Sequence, residues 1–174
     1  QDGNILYNIL TAAATSADGN YNTMNAADVA VTNTDNDTAG ITVGAISGNT
    51  TEAGGTAMFT VVIDTQPTAN VTIGLSSDDA TEGSVAPASI VFTSVNWSTA
   101  QTVTVTGQDD PAQDGNILYN ILTASATSAD TNYNTMNAAD VAVTNTDDDT
   151  AAITVGAISG NTTEAGGTAT FTVV

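Results

Sequence analysis

The chain has 174 residues with 19 acidic side chains and no Lys, Arg or His, a formal charge of −19. No side-chain ion pair can form, and the lack of Lys and Arg, on which phosphate contacts rely, argues against nucleic acid or anionic membrane surfaces as direct partners. Only 11% of residues are charged and 41% are hydrophobic, so this is no acidic disordered tail and it can bury a core.

Residues 1–62 return at 113–174, offset by 112, with five substitutions: Ala13/Ser125, Gly19/Thr131, Asn36/Asp148, Gly40/Ala152 and Met58/Thr170. A period of this length is that of a self-contained domain, well beyond the roughly 20–50 residues of a solenoid unit. The repetition divides the chain into the C-terminal part of a preceding repeat (1–37), one complete repeat (38–149) and the N-terminal part of the next (150–174). In chain order, 1–37 supplies the last two strands of its repeat. The complete repeat begins with a short apolar run, Ile41 to Ile46. Next come "TAMFTVVID", with Phe59, Val61 and Ile63 on one face, and "NVTIGL", with Val71, Ile73 and Leu75 together. "SIVFT" (89–93), "QTVTVTG" (101–107), "NILYNILTASAT" (116–127) and "DVAVTNT" (140–146) complete the set. Seven strands of this alternating kind, separated by Gly, Asn, Asp and Pro turns, predict an all-β sandwich. Neither partial repeat holds enough strands to close a core. The expectation is an excerpt of a longer polypeptide, with disorder of these strands or their completion by other copies of the chain as the alternatives.

The acids of the complete repeat gather at strand ends. Asp78 and Asp79 follow the third strand, Asp109, Asp110 and Asp114 lie between the fifth and sixth, and Asp147, Asp148 and Asp149 follow the seventh. A sandwich can bring these ends to one pole. Two carboxylates about 5 Å apart repel by about 3 kcal/mol at an effective dielectric of about 20, and no cationic side chain offsets this. An external cation is the expected partner. Oxygen-only ligands suit calcium, which takes roughly six to eight of them; zinc and copper favour nitrogen or sulfur, and the chain has no His or Cys.

The order "TEAGGTAMFTVV", "SSDDATEG", "IVFTSVNWSTAQTVTVTGQDD", "DGN" and a closing "VTNTDDD" resembles Calx-beta domains, the calcium-binding modules of sodium/calcium exchangers that also occur in tandem in large bacterial surface proteins and adhesins. The resemblance covers the whole repeat and implies an immunoglobulin-like seven-stranded sandwich. Its most specific parts are the "DD" after the fifth strand and the triple Asp after the seventh. It implies calcium ligands at Asp79, Asp109, Asp110, Asp114 and Asp147 to Asp149, with partial equivalents Asp2, Asp35 and Asp37 in the preceding repeat. The pattern departs from the family at "DATE", at the thinned "PAQDG" and at Asn36.

Other features weigh less. "DTNYN" (130–134) opens like a calcium loop but lacks the glycine and glutamate that complete one, and as an Asx turn it needs no metal. Asn49, Asn70, Asn96 and Asn161 begin sequons in a chain rich in Asn and Thr. Trp97 reads as a partly buried plug. Without His, Lys or Cys only a carboxylate pair could do acid/base work, and paired carboxylates in closely repeated units are better explained by metal binding, so the chain is not expected to be an enzyme. No run approaches the roughly 18 apolar residues of a membrane span, and no membrane insertion is expected of this segment. The expected role is a calcium-stabilised extender, stalk or fibre of a bacterial cell surface, its repeats joined head to tail with calcium at the joint. The alternatives are a filament subunit completed by strand exchange between identical chains, and a glycan- or ice-binding adhesin module.

Overall fold

The computed structural model describes residues 2–174, and among them it contains eleven strands and no helix. These are β1 (Ile5–Ile9), β2 (Val29–Asn33), β3 (Ile41–Val43), β4 (Thr50–Thr51), β5 (Thr56–Ile63), β6 (Val71–Ser77), β7 (Gly83–Ala86), β8 (Ser89–Phe92), β9 (Gln101–Gly107), β10 (Ile117–Thr123) and β11 (Val141–Thr146). They form a five-stranded sheet in the order β4-β11-β10-β6-β8, a four-stranded sheet in the order β3-β5-β9-β7, and a separate β1-β2 hairpin.

The two larger sheets share one core, an arrangement consistent with a β-sandwich. Alternation along β5 sends Ala57, Phe59, Val61 and Ile63 inward and leaves Thr56, Met58 and Thr60 exposed. Val103 and Val105 of β9 lie on the same inner face. They meet Val71, Ile73 and Leu75 of β6, Ile90 and Phe92 of β8, Tyr119 and Ile121 of β10, and Val141 and Val143 of β11. Each of the larger side chains fully withdrawn from water here contributes roughly 1.5–3 kcal/mol. Trp97 packs against this cluster as a half-buried plug.

Nine strands, where seven were expected, lie between residues 38 and 149. The additional ones are β4 and β7. The apolar run from Ile41 does not continue as one strand: β3 pairs with β5, the chain then bends, and β4 crosses to the other sheet to run parallel to β11, with Thr50 opposite Asn145 and Thr51 opposite Thr146. β7 pairs with β9, placing Gly83 opposite Gly107. Gly83 has to be glycine for a packing reason, because a Cβ there would collide with the ring and hydroxyl of the buried Tyr119.

The flanking segments reproduce the local pairing without the core. β1 and β2 pair Ile5 with Asn33, the register in which β10 and β11 pair Ile117 with Asn145. The bridge between Val155 and Val173 likewise matches the pairing of Val43 with Val61. Burial differs between the copies. Tyr7 is 47% exposed where Tyr119 is 1%, and Phe171 is 58% exposed where Phe59 is 2%.

Candidate metal centre

The strand ends β4, β9 and β11 and the strand starts β7 and β10 meet at one pole, because Gly107 faces Gly83 across one sheet while Asn145 faces Thr50 and Ile117 across the other. Two groups of three carboxylates form there. Glu52, Asp147 and Asp149 make one, and Glu82, Asp110 and Asp114 make the other; within each group the three oxygens lie within 4.8 Å of one another.

Each group is anchored by a buried glutamate, Glu52 at 2% exposure and Glu82 at 5%. Glu52 follows β4, and its Oε2 accepts the Asp148 amide at 3.2 Å. Glu82 precedes β7, and its Oε2 accepts Asn145 Nδ2 at 3.3 Å. Asn145 also donates to the Gln108 carbonyl at 2.9 Å and accepts the Thr50 hydroxyl at 3.0 Å, so one buried amide joins β4, β9 and β11 beneath both groups. Asp147 is oriented from two sides, taking the Asp149 amide on Oδ1 and the Gly115 amide on Oδ2, each at 2.8 Å. Gly115 has φ of +83°, a conformation that glycine adopts without strain. Asp110 accepts the Ala112 amide at 2.7 Å. Asp149 Oδ2 is buried and has no hydrogen-bond partner, an unmet acceptor that a cation could satisfy.

Electrostatics marks the same residues. Burial raises the Glu52 carboxyl above its ordinary 4.5, and the charges of Asp147, Asp110 and Asp114 add to this against the opposing Asp148 amide. Burial likewise raises Asp149, reinforced by Asp147, Asp148, Asp109 and Asp110. Six carboxylates crowded at one pole supply hard oxygen donors only, and these groups could hold metal ions.

The sequence-expected residues divide. Asp110, Asp114, Asp147 and Asp149 enter the two groups, while Asp109 and Asp148 lie at the same pole within electrostatic reach of Asp149. Asp78 and Asp79 join neither group. Asp78 accepts the backbone amide of Asn120 at 2.7 Å and its side-chain amide at 2.9 Å, which hold its carboxyl below the ordinary 3.8. Asp79 caps its own turn through the amide and hydroxyl of Thr81. Glu52 and Glu82 are the residues that sequence reasoning missed. In the preceding segment, Asp35 repeats the geometry of Asp147, with its carboxyl lowered by the Asp37 and Gly3 amides. Asp2 and Asp37, the counterparts of Asp114 and Asp149, line a cleft of about 470 Å³ with Gln66, Pro67, Thr68 and Ser94 of the complete sandwich.

The "DTNYN" loop needs no metal. Burial disfavours the charge of Asp130, but the amides of Thr68 at 2.8 Å and Asn132 at 2.9 Å outweigh it and its carboxyl is lowered. The Tyr133 hydroxyl donates to the Thr65 carbonyl at 2.7 Å and accepts its amide at 3.0 Å, so this loop plugs the pole opposite the carboxylate groups.

These shifts set an unusual pH response. The raised carboxyls of Glu52 and Asp149 favour folding below their ordinary values, and that contribution is lost as pH rises through the raised ones. The lowered Asp78 and Asp130 contribute above the ordinary 3.8 and lose that contribution as pH falls through the depressed values. Metal-stripped protein is therefore expected to melt at a higher temperature in mildly acidic buffer than at neutral pH, with acid unfolding only below the ordinary carboxylate range. Thermal melts across pH check this; a melting temperature that falls steadily from neutral pH downward would contradict it. Comparison with protein-family models and with curated proteins finds no match, so the Calx-beta resemblance rests on the residues themselves.

Proposed function

We propose that the chain is a stretch of a calcium-stabilised tandem array of immunoglobulin-like, Calx-beta-like sandwiches, serving as an extender, stalk or fibre outside a bacterial cell. The observation that carries this reading is the pair of carboxylate triads, each anchored on a buried glutamate, in a chain without one basic side chain. Burying a charge is costly unless it is paired. A divalent ion supplies the pairing, and calcium accepts this number and type of oxygen ligand. Extracellular modules work at roughly 10⁻⁴–10⁻³ M calcium, an affinity that suits sites open to solvent on one side, as the exposed Asp114 makes this one.

Calcium acts here by stiffening. Asp147 and Asp149 begin the link that leads from β11 towards residues 150–174, and Glu52 of the same group belongs to the body of the sandwich. An ion held by both fixes the direction in which the chain leaves one repeat for the next. Near-identical repetition suits an extender better than an adhesive tip.

The test is X-ray scattering on the chain with calcium and after metal stripping. Calcium is expected to lengthen the particle and reduce its spread of sizes while raising the melting temperature, as any ligand of the native state must. Unchanged dimensions together with an unchanged melting temperature would overturn the proposal.

A further inference from the structure

We propose that the parallel pairing of β4 with β11 is the mechanical clamp of the repeat, the contact that must slip before tension along the array can unfold it. This rests on the array reading above, since only in an array is the sandwich pulled through its two flanking segments.

The topology sets the direction of the load. The chain joins the sandwich through β3, whose first residue Ile41 pairs with Ile63 at the end of β5. It leaves through β11, whose last residue Thr146 pairs with Thr51. These are opposite poles, because the other end of β5, at Thr56, pairs with Thr106, next to the Gly107 that lies against Thr51. Tension therefore draws the β3–β4 segment one way and β11 the other. Parallel strands pulled in this manner slide past each other, and all the bonds between them are stretched together. An antiparallel hairpin pulled at its open end instead breaks one bond at a time.

The clamp is short and heavily reinforced. Across it the Glu52 amide donates to the Thr146 carbonyl at 3.1 Å, the Thr50 hydroxyl donates to Asn145 Oδ1 at 3.0 Å, and the Asp148 amide donates to Glu52 Oε2 at 3.2 Å. Among the described residues, four of the seven buried polar side chains lie along this seam: Thr50, Asn145 and Glu82 are hydrogen-bonded in a row, and Glu52 beside them takes the Asp148 amide. Thr50 and Asn145, at 0% and 1% exposure, are buried, the situation in which losing a hydrogen bond costs most. A cation between Glu52 and the Asp147–Asp149 segment ties the C-terminal end of β4 to that of β11 and adds bonds across the same slip plane.

Single-molecule force spectroscopy tests this on the full chain, whose lack of cysteine lets introduced cysteines serve as the only handles. Pulled through Thr38→Cys and Thr150→Cys, the sandwich is expected to yield at a severalfold higher force than when pulled through Asn116→Cys and Thr150→Cys, which opens β10 from β11 at the free end of their hairpin. Thr50→Val, which removes the hydroxyl and keeps the shape, is expected to speed unfolding along the first axis by about tenfold, the equivalent of one buried hydrogen bond. Ile90→Val, in β8 and off the load path, is expected to change it far less. Equal forces along the two axes, or equal effects of the two substitutions under load, would overturn the clamp; the axis comparison holds even if Thr50→Val fails to fold. Repeating the first axis without metal separates the two ideas. A force that drops supports both, and a force that does not drop removes the cation while the clamp stands.

Discussion

Glu52→Gln is expected to lower the melting temperature of the calcium-saturated protein and to raise that of the metal-stripped protein. The reversal comes from the position of the carboxylate. On the proposal above, Glu52 would be the buried calcium ligand of its group, and glutamine would offer a neutral oxygen in place of a charged one. At free calcium 100-fold above the dissociation constant one site contributes about 2.7 kcal/mol, or roughly 10–20 °C in a domain of this size, and most of that increment is expected to vanish. Without metal, glutamine still accepts the Asp148 amide, and the charge it removes is one that burial and the neighbouring Asp147, Asp110 and Asp114 oppose. Glu82→Gln is likewise expected to lose the calcium increment at the other group, whose buried carboxylate it removes. Asp78→Asn is the control, since its carboxylate is engaged by Asn120 away from both groups. Calorimetric melts of the three variants with and without calcium decide the matter. A calcium increment lost in Asp78→Asn and kept in Glu52→Gln would return the ligand set to the one expected from sequence.

Gly107→Ala is expected to destabilise the sandwich by about 3 kcal/mol or more, the upper range for overpacking, and to weaken calcium binding with it. A Cβ at this position collides with the carbonyl oxygen of Thr51 and comes within 2.5 Å of Asn145 Oδ1. Neither can withdraw. The Thr51 carbonyl accepts the Gly54 amide at 3.0 Å and the Gly55 amide at 3.2 Å, and the Asn145 amide is held by Thr50, Gln108 and Glu82. Gly48 offers the comparison, because a Cβ there meets nothing within 4 Å, and Gly48→Ala is expected to stay within about 0.5 kcal/mol of wild type. Urea unfolding of the two variants measures both; equal midpoints would mean that the seam yields where its bonding says it cannot.

Much of the sandwich is legible in the chain because alternation is a local signal. Phe59, Val61 and Ile63, or Val71, Ile73 and Leu75, declare their face within a few residues. β4 escapes for the opposite reason. Two threonines have no period, and what makes them a strand is a parallel partner some 95 positions away, as the Thr50–Asn145 bond shows. β7 is four residues long with a glycine as its most buried member. The carboxylate pole divides along the same line. Asp110, Asp114, Asp147 and Asp149 stand out as aspartates in turns, whereas Asp78 looks identical in sequence and differs only in having Asn120 across from it. Glu52 and Glu82 left one signal unread: they are the only glutamates of the complete repeat. A longer acid at the edge of a core, in a chain that otherwise uses Asp, hints at reach from a buried backbone.

The β1-β2 hairpin, paired in the register of β10-β11 yet without a core of its own, bears on how such an array folds. Hairpins that zip correctly before they dock remove the one-residue slip that would turn every inward side chain outward. They do not remove a second hazard. Hairpins from neighbouring repeats differ at only three of 37 positions, Ala13/Ser125, Gly19/Thr131 and Asn36/Asp148, so a body spanning 38–112 accepts either nearly equally. Each body has one seat, so exchanging occupants buries no additional surface and costs the entropy of bringing two distant segments together. Fidelity then comes from tethering and order: the two hairpins that flank a body are present at a far higher effective concentration than more distant copies, and in an array made from its N-terminus the preceding hairpin is already seated on its own body when the next body emerges. Near-identical neighbours are thus kept apart by kinetics and connectivity, with no difference in fit required.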